Sequence, residues 1–355
     1  MRKQLYRTLT AKLQRRLPAS SKPQVENLAL LTQALVFSPD CHLSNLALQL
    51  PIPGQRENLT QRLRRLLKNS HVKWATHYLP LVKELLAHWP DREVNLVMDR
   101  TDIRQEKSIL MLALAFKHRA LPLSWAVLPF GSTGEELQLT LLQTVAPYLP
   151  PVNQKRIRFF GDSEFRSVAL QRYCRQNEWG WQVGVKSDTL FHSGDEQWRA
   201  LGTIPIQQGE RVHRHDLTLT RRHSFQPVHL TVDWKHQQDY PRYVICNRPT
   251  NCQTWRDGRK RFWIEPFFRD YKSYGFDLES SKITDDERLR RLLLGMAVAS
   301  LWLLHLGHWV VQTDRRGWLV ADHQNNYSLF RLGRDYAVRS PIENWELPVF
   351  FRRYA

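Results

Sequence analysis

Cysteine is scarce and scattered in this sequence. The four cysteines, Cys41, Cys174, Cys246 and Cys252, are too few and too widely spaced for a disulfide framework in a chain of 355 residues. Cys246 and Cys252 have more residues between them than the roughly two to four of a zinc finger, and no second Cys or His pair stands at that spacing. A structural zinc site is therefore not expected. This cysteine usage fits a reducing compartment, and we expect a cytoplasmic protein.

Acidic residues are also in short supply. Lys and Arg number 52 against 34 Asp and Glu, which gives a net charge of +18, and no acidic residue precedes Glu26. Residues 1–73 contain 13 basic and 3 acidic side chains and so carry more than half of the excess. Such an excess favours a polyanionic partner, with nucleic acid as the first candidate. A hydrophobic fraction of 42% argues against wholesale disorder.

Long hydrophobic runs are missing except for one. Residues 292–311 contain no charged side chain apart from two histidines, and the run is long enough to cross a membrane. It follows the polar residues Asp285, Asp286, Glu287 and Arg288, and it contains a serine and two glycines. We therefore predict a buried core helix over residues 287–312 and no membrane partner. A single transmembrane helix is the alternative.

The basic N-terminal region, residues 1–90, has a helical pattern. Residues 43–50 and 58–68 predict two short helices, and the Pro-Ile-Pro-Gly sequence between them predicts a turn. The second helix carries four basic residues, Arg62, Arg64, Arg65 and Lys68. These features predict a DNA-binding region. They fit a helix-turn-helix and, equally well, a helical bundle with a solvated basic face.

Beyond residue 91 the pattern changes to strands and helices. Strands are predicted over residues 94–97, 109–116, 123–128, 156–160 and 181–185, and helices over 135–149 and 168–176. This order is that of an RNase H-like α/β fold, a mixed sheet flanked by helices. We predict a catalytic core of residues 91–189 and 255–335, interrupted by a β-rich insertion over 190–254. Residues 336–355 form a C-terminal tail.

Four histidines of the insertion alternate along predicted strands. A metal cluster of His213, His215, His223 and His229 is one interpretation, but alternating histidines on a basic strand are more typical of a surface that faces solvent or DNA. We favour the surface.

Two carboxylates follow apolar strands in the same way. Asp99 comes after Leu96-Val97-Met98, and Asp162 comes after the strand over residues 156–160. If the two strands are neighbours, these carboxylates meet. Carboxylates at adjacent strand ends, with a third from a helix, form a hard oxygen site suited to Mg²⁺, and two such ions support in-line phosphoryl displacement.

The third carboxylate is Glu265, within a predicted helix over residues 262–273. Arg261 precedes it by four residues and Lys272 follows it by seven, so that on a helix the three side chains lie near one face. The spacing fits an intrahelical salt-bridge ladder. It equally fits a metal-binding carboxylate whose neighbouring cations contact phosphates.

This run, R-x3-E-x6-K, resembles the signature of the insertion-sequence transposases often called the IS-four family, relatives of the bacterial transposon-five transposase. Residues 98–103, 162–165 and 263–273 are similar to that family's three catalytic blocks, in the same order. The resemblance implies a cut-and-paste DNA transposase of the DDE class with Asp99, Asp162 and Glu265 as the catalytic and metal-binding triad. It also implies phosphate contacts from Arg261 and Lys272.

Further expectations come from the same resemblance. The cofactor would be two Mg²⁺ ions, with Mn²⁺ as a substitute. The partners would be double-stranded DNA, as terminal inverted repeats and target, and a second copy of the chain in a homodimer on DNA. The location would be the prokaryotic cytoplasm, in association with the nucleoid. The insertion would hold the cleaved end as a hairpin, with Trp198, Trp234 and Trp255 as candidates to stack on a flipped base.

The sequence departs from the signature at one position. The family has Tyr three residues before the Arg, where this chain has Gly258. Two alternatives therefore stay open: a weakened or repurposed transposase-derived DNA-binding protein, and a metal-dependent nuclease that cuts without joining. Asp102 and Glu164 are extra carboxylates near the first two blocks, and Asp99 is preferred over Asp102 as the first ligand.

Overall fold

The structure, a computed structural model, describes residues 1–194, 197–221, 225–321 and 327–351. The chain begins with helices that bury leucine-rich faces. Six helices precede the first strand: α1 (Arg2–Arg16), α2 (Lys22–Phe37), α3 (Leu43–Leu48), α4 (Arg56–Lys68), α5 (Trp74–His77) and α6 (Leu79–Ala87). The helical character predicted for residues 1–90 is therefore confirmed.

Helices α3 and α4 pack together, but the connection between them is long. It covers Gln49–Gln55 and includes Gly54 at φ +150°, a backbone conformation that favours glycine. A helix-turn-helix has a turn of roughly 3–4 residues. The longer connection fits a helical bundle as well as that motif.

Helix α4 is amphipathic, with leucines facing inward and basic residues facing outward. Leu63, Leu66 and Leu67 are buried. Arg64, Arg65 and Lys68 are exposed, and none of them is paired with another described residue. Arg62 differs, because its Nε donates a hydrogen bond of 2.7 Å to Asn27 Oδ1 on α2. Arg62 therefore ties two helices together rather than pointing freely into solvent. We refer to Arg64, Arg65 and Lys68 as the α4 basic face.

The centre of the molecule is a mixed β-sheet. Its first strands are β1 (Glu93–Ile103), β2 (Lys107–Phe116), β3 (Arg119–Pro129), β4 (Arg156–Gly161) and β5 (Gly180–Val185). They lie in the order β3-β2-β1-β4-β5, antiparallel across the first three and parallel from β1 to β4 and from β4 to β5. Helices α7 (Glu135–Val145) and α8 (Val168–Gln176) occupy the connections before and after β4. This arrangement confirms the RNase H-like fold.

The β-rich segment continues the same sheet. Its strands are β6 (Leu190–His192), β7 (Arg199–Ala200), β8 (Arg211–Leu219), β9 (Phe225–Asp233) and β10 (Arg242–Cys246). Strand β10 pairs antiparallel with β5, and the order beyond it is β9-β8-β6-β7. The sheet therefore has ten strands, with β5 as the junction between the core and the insertion. The interpretation of this segment as an insertion rather than a separate domain stays a prediction.

The helices after the insertion are α9 (Cys252–Gly258), α10 (Ile264–Tyr271), α11 (Asp286–Gln312) and α12 (Leu329–Glu343). Helix α11 begins where Asp285 Oδ1 accepts a hydrogen bond of 2.8 Å from Arg288 N, a typical N-cap. By length and composition α11 could cross a membrane, but 94% of its most apolar window is buried inside the protein. Its burial agrees with the prediction of a core helix.

Helices α11 and α12 cross with their backbones in close contact. A Cβ atom on Gly307 would lie 1.8 Å from Leu329 O, and a Cβ on Gly333 would lie 2.0 Å from Leu303 O. Only glycine leaves room for this crossing at both positions. The packing brings the catalytic sheet, α11 and α12 into one hydrophobic core with the N-terminal helices.

The last described residues also contact the N-terminal helices. Lys12 Nζ on α1 donates to Val349 O, and the guanidinium of Arg16 lies 5.7 Å from the ring centroid of Phe351. Trp302 Nε1 on α11 donates a hydrogen bond of 2.9 Å to Pro348 O. Residues 348–351 therefore pack against α1 and α11 at one side of the hydrophobic core. The domain boundaries drawn from the sequence remain predictions.

Candidate active site

Strand register brings Asp99 and Asp162 together. The parallel pairing of β1 with β4 ends with Val97 opposite Phe160. Asp99 lies two residues after Val97, and Asp162 lies two residues after Phe160, directly beyond the end of β4. Because side chains alternate along a strand, both aspartates leave the sheet on the same face. The sequence suggested that Asp99 follows the end of a strand, but the structure shows otherwise. Asp99 lies within β1, because pairing with β2 extends that strand to Ile103.

A tight turn sets the position of Asp162. Its Oδ1 accepts a hydrogen bond of 2.7 Å from Glu164 N and so caps the 3-10 turn Ser163–Phe165. The neighbouring strand leaves space for this turn at Gly184, where a Cβ would lie 3.2 Å from Ser163 N. Asp162 is thus fixed at the carboxyl end of β4 by its own backbone contacts.

Asp99 shows which charged groups surround the site. The pKa of Asp99 is raised to about 7, chiefly because the carboxyl group is buried and, to a smaller extent, because the charges of Asp162 and Glu265 repel its own. The hydrogen bond from Arg100 N and the charge of Arg261 act in the opposite direction. Desolvation is the largest of these effects. The three carboxylates of the predicted triad and Arg261 therefore share one electrostatic neighbourhood.

The segment that carries Glu265 is not one continuous helix. Residues Arg259–Trp263 form a 3-10 turn, and α10 begins only at Ile264. Pro266 in the first turn of α10 has no N–H to bond the preceding turn, which explains the break. Lys272 follows the end of α10 and lies 4.0 Å from Glu279. Lys272 is the C-cap of this helix, and its N–H donates a hydrogen bond of 2.9 Å to Phe268 O. The face predicted for Arg261, Glu265 and Lys272 stays a prediction for Lys272.

Glu265 is half exposed and faces Arg261. The side chain is 46% exposed, and its Oε1 lies 3.9 Å from Arg261 Nη2. The guanidinium of Arg261 also lies 4.2 Å from the ring centroid of Phe262. This ion pair is one contact of the predicted intrahelical salt-bridge ladder. The paired Glu265 also lies beside the two aspartates.

An ion-pair network holds the Arg261 segment against the sheet. Arg158 on β4 contacts Asp257 on α9 at 2.7 Å and Glu93 on β1 at 3.1 Å. Lys260 contacts Glu93 at 3.4 Å and Asp257 at 3.6 Å. These side chains are 17–26% exposed, so the network is partly shielded from water. It holds the turn Arg259–Trp263, which carries Arg261, against strands β1 and β4.

The extra carboxylates have structural partners. Glu164 Oε1 accepts hydrogen bonds from Thr133 N at 2.8 Å and Thr133 Oγ1 at 2.6 Å, and its Oε2 lies 3.5 Å from Arg100. Asp102 Oδ1 accepts a 2.5 Å hydrogen bond from Ser108 Oγ. Strand alternation places Asp102 on the face opposite to Asp99. These contacts explain Asp102 and Glu164 without a metal.

The donor chemistry of the triad fits a hard divalent cation, since three carboxylates offer only oxygen ligands. The side chains have not converged, however. Among the described residues no group of three His, Cys, Asp or Glu side chains is arranged to hold a metal ion. Glu265 would have to leave Arg261 and turn toward Asp99 and Asp162 to complete such a group.

A large cleft adjoins Asp162 on the side of the insertion. Its volume is about 1110 Å³, and it lies between the end of β4, strands β5 and β10, and the turn that carries Arg261. Four basic and five aromatic side chains contribute to its lining: Lys186, Arg242, Arg259, Arg261, Trp234, Tyr240, Tyr243, Trp255 and Phe262. We call this space the insertion cleft. Its chemistry suits an anionic ligand with flat rings.

The structure separates the three candidate tryptophans. Trp234 and Trp255 line the insertion cleft, whereas Trp198 is not among its lining residues and packs against His192 at 4.7 Å. Trp255 is 8% exposed, and the guanidinium of Arg211 lies 5.3 Å from its ring centroid. Trp234 is more accessible.

The histidines of the insertion have ordinary contacts. His213 Nδ1 lies 3.1 Å from Thr231 Oγ1, and the rings of His215 and His229 are 5.4 Å apart. His229 Nδ1 accepts a hydrogen bond from Asp216 N. His223 lies outside the described residues.

Other predicted site residues lie elsewhere. The basic residues of α4, Arg62, Arg64, Arg65 and Lys68, are not among the residues that line the insertion cleft. Sequence reasoning missed Lys186, Arg242 and Gln182, which do line it. No motif marks them, and only the surplus of basic residues hinted at a charged surface here. The four cysteines are all free thiols.

Comparison with known proteins identifies the family. Residues 90–302, more than half of the chain, match the family model described as "Transposase DDE domain". The ten-stranded sheet lies within that span, and so do Asp99, Asp162 and Glu265. The chain therefore belongs to the DDE-domain family of DNA transposases.

Other comparisons add little to this assignment. The solved piggyBac transposase synaptic complex with hairpin DNA is similar over 95% of this chain and 79% of that chain, with 11% sequence identity and a TM-score of 0.41. A likeness at that level does not establish how this chain acts. No curated protein matches the chain.

Proposed function

We propose that this transposase is a member of the IS-four family that moves its own insertion sequence by a cut-and-paste reaction. It binds the terminal inverted repeats, cuts the DNA with water as the nucleophile, and joins the freed 3′ hydroxyl to a target phosphodiester. The R-x3-E-x6-K run supports this family. The observation that carries the activity is the meeting of Asp99 and Asp162 on one face of the sheet, within the electrostatic reach of Glu265 and Arg261.

The triad is the proposed metal site. Asp99, Asp162 and Glu265 would hold two Mg²⁺ ions, with Mn²⁺ as a substitute. Bound ions would activate the attacking oxygen and stabilise the leaving one. Divalent-metal dependence is general among DDE transposases, and three carboxylates in one neighbourhood match that need.

Arg261 has two successive partners in this proposal. In the described structure it pairs with Glu265 and so partly neutralises the site. When Glu265 turns to the aspartates, the guanidinium becomes available for a phosphate of the transposon end. Lys272, beyond the end of α10, supplies a second phosphate contact from the other side of Glu265.

Double-stranded DNA is the proposed partner. The α4 basic face presents unpaired charges for the duplex backbone, and the insertion cleft presents basic and aromatic side chains for the cleaved end. Of the residues proposed to stack on a flipped base, Trp234 and Trp255 line this cleft. Joining two transposon ends in one event requires two active sites, so the chain acts as a homodimer on DNA. The proposed location is the cytoplasm of a prokaryotic cell.

The decisive experiment is an excision and strand-transfer assay with Mg²⁺ and a duplex that carries the flanking sequence of the gene. Glu265→Ala is expected to abolish cleavage, because the third carboxylate is lost, while Kd for the duplex stays within a few fold. Glu136→Ala, at an exposed position on α7, is the matched control and should cut like the wild type.

Three outcomes of this assay would contradict the proposal. Cleavage by Glu265→Ala at the wild-type rate would exclude the triad. Tight binding of the ends without any cutting by the wild type would instead indicate a repurposed DNA-binding descendant. Cutting without joining would indicate a nuclease.

A further inference from the structure

The family signature has Tyr at position 258, and here the side chain of Gln182 from strand β5 fills the space beside Gly258. A Cβ atom on Gly258 would lie 2.2 Å from Nε2, 2.8 Å from Cδ and 3.1 Å from Oε1 of Gln182. The Gln182 amide therefore lies directly over the Gly258 backbone. A larger side chain at position 258 would displace it.

Gln182 belongs to the same face as the proposed triad. It lies on β5 opposite Phe160 of β4, and in a parallel pair such partners direct their side chains to the same face. Phe160 in turn is two residues before Asp162, so Gln182, Asp162 and Asp99 all face the turn that carries Arg261. The amide thus lies beside the reacting groups without belonging to the carboxylate set.

The amide has no hydrogen-bond partner among the described residues. Gln182 is 8% exposed as a whole residue, and its side chain neither donates a hydrogen bond to any described residue nor accepts one. It lines the insertion cleft and also a smaller cavity that Arg158 and Asp257 line. The amide N–H and C=O groups therefore face space that a ligand can enter, and they are free to bond to it.

The chemistry of the cleft identifies that ligand. Lys186, Arg242, Arg259 and Arg261 line the space that Gln182 faces, and Asp162 and Asp188 are its acidic side chains. The excess of cations favours an anionic occupant, and the amide nitrogen can donate to an oxygen of that occupant. A phosphate of the DNA end satisfies both conditions.

We propose that Gln182 is a DNA-end contact that donates its side-chain N–H to a backbone phosphate next to the cleavage site, and that Gly258 is small because this amide occupies the space above it. The inference rests on the proposed function and adds to it one recognition residue outside the R-x3-E-x6-K run. It also explains how the chain keeps an end contact without the signature Tyr.

The test compares substitutions at both positions, with a duplex carrying the element's end as the probe. Gln182→Ala removes the donor and is expected to weaken Kd and lower kcat/KM by about tenfold to a hundredfold, the usual range for a hydrogen bond to a charged group. Gln182→Glu keeps the shape but repels a phosphate, so its loss should exceed that of the alanine variant. Gln176→Ala, exposed on α8, is the matched control.

The Gly258 variants separate contact from packing. Gly258→Ala pushes the amide out of place and is expected to lose as much binding as Gln182→Ala. The double variant Gln182→Ala/Gly258→Ala should be no worse than either single variant, because both act on one contact. Thermal unfolding should leave the Tm of Gln182→Ala and Gln182→Glu close to that of the wild type.

The failures of the two proposals are distinguishable. If the wild type neither binds nor cuts the duplex, the proposed function is wrong. If the wild type cuts, Glu265→Ala does not, and both Gln182 variants bind and cut normally, then the role of Gln182 alone is refuted. Equal losses in Gln182→Ala and Gln182→Glu together with a lowered Tm would also refute it, since they indicate a structural role.

Discussion

Replacing Gly333 by alanine tests the backbone crossing between α11 and α12. The new Cβ would lie 2.0 Å from Leu303 O and 2.9 Å from the carbonyl carbon, whereas Cβ contacts under 3.0 Å are essentially never found. The obstacle is backbone in the middle of a 27-residue helix, so no side chain can move aside. The two helices must separate by about 1 Å.

Two opposing effects set the magnitude. Alanine is favoured over glycine inside a helix by about 1 kcal/mol. Overpacking a core costs about 1–3 kcal/mol or more, and a rigid backbone contact belongs at the upper end of that range. We therefore expect a net loss of about 2 kcal/mol in the free energy of unfolding, or a fall in Tm of about 3 °C for a chain of this size.

Thermal and urea unfolding measure this loss. Gly317→Ala is the matched control, because a Cβ there meets nothing within 4 Å, and it should keep the wild-type Tm or raise it slightly. A Tm of Gly333→Ala equal to or above that of the wild type would refute the reasoning, since helix propensity would then outweigh the crossing.

Two further predictions concern charge. Replacing Arg64, Arg65 and Lys68 by Gln should lower the slope of log K against log salt for duplex binding by up to about 3, and an unchanged slope would show that the α4 basic face does not contact phosphates. The second concerns Asp270, whose pKa is raised to about 6 by burial, although Arg119 at 2.7 Å acts in the opposite direction. Its stabilising contribution is complete below the unfolded pKa of about 4 and is lost as the pH rises through 6, so the wild type should lose about 2 kcal/mol relative to Asp270→Asn between pH 4 and 7. Urea unfolding of both proteins over that range measures the difference, and a pH-independent difference would contradict the shift.

The order of the strands could be predicted because each one is a short apolar run bounded by turns. The helix Val168–Gln176 has the predicted bounds, and the strand Arg156–Gly161 differs by one residue at its end. The extent of β1 could not be predicted. Its second half pairs only with β2, and that half contains Arg100, Thr101 and Asp102, whose polarity suggested a loop.

The candidate site was predictable where a residue directly follows an apolar strand or stands in one recognisable segment. Asp99 and Asp162 were found in the first way, and Arg261 and Glu265 in the second, through the resemblance of their segment to a family signature. Gln182 comes from β5, and its position over Gly258 depends on how α9 lies across the sheet, which no local pattern encodes. The end of α10 at Tyr271, one residue before Lys272, was not predicted for a similar reason.

The packing of residues 348–351 against α1 has a consequence for biosynthesis. Helix α1 is synthesised more than 300 residues before Val349 and Phe351, which it contacts. At about 5–20 residues per second, that interval lasts on the order of 20–70 s. During that time the leucine-rich face of α1, which includes Leu9 and Leu13 at 0% exposure in the folded protein, has not yet met these partners. We expect chaperones to bind this apolar face until Val349 and Phe351 have been made.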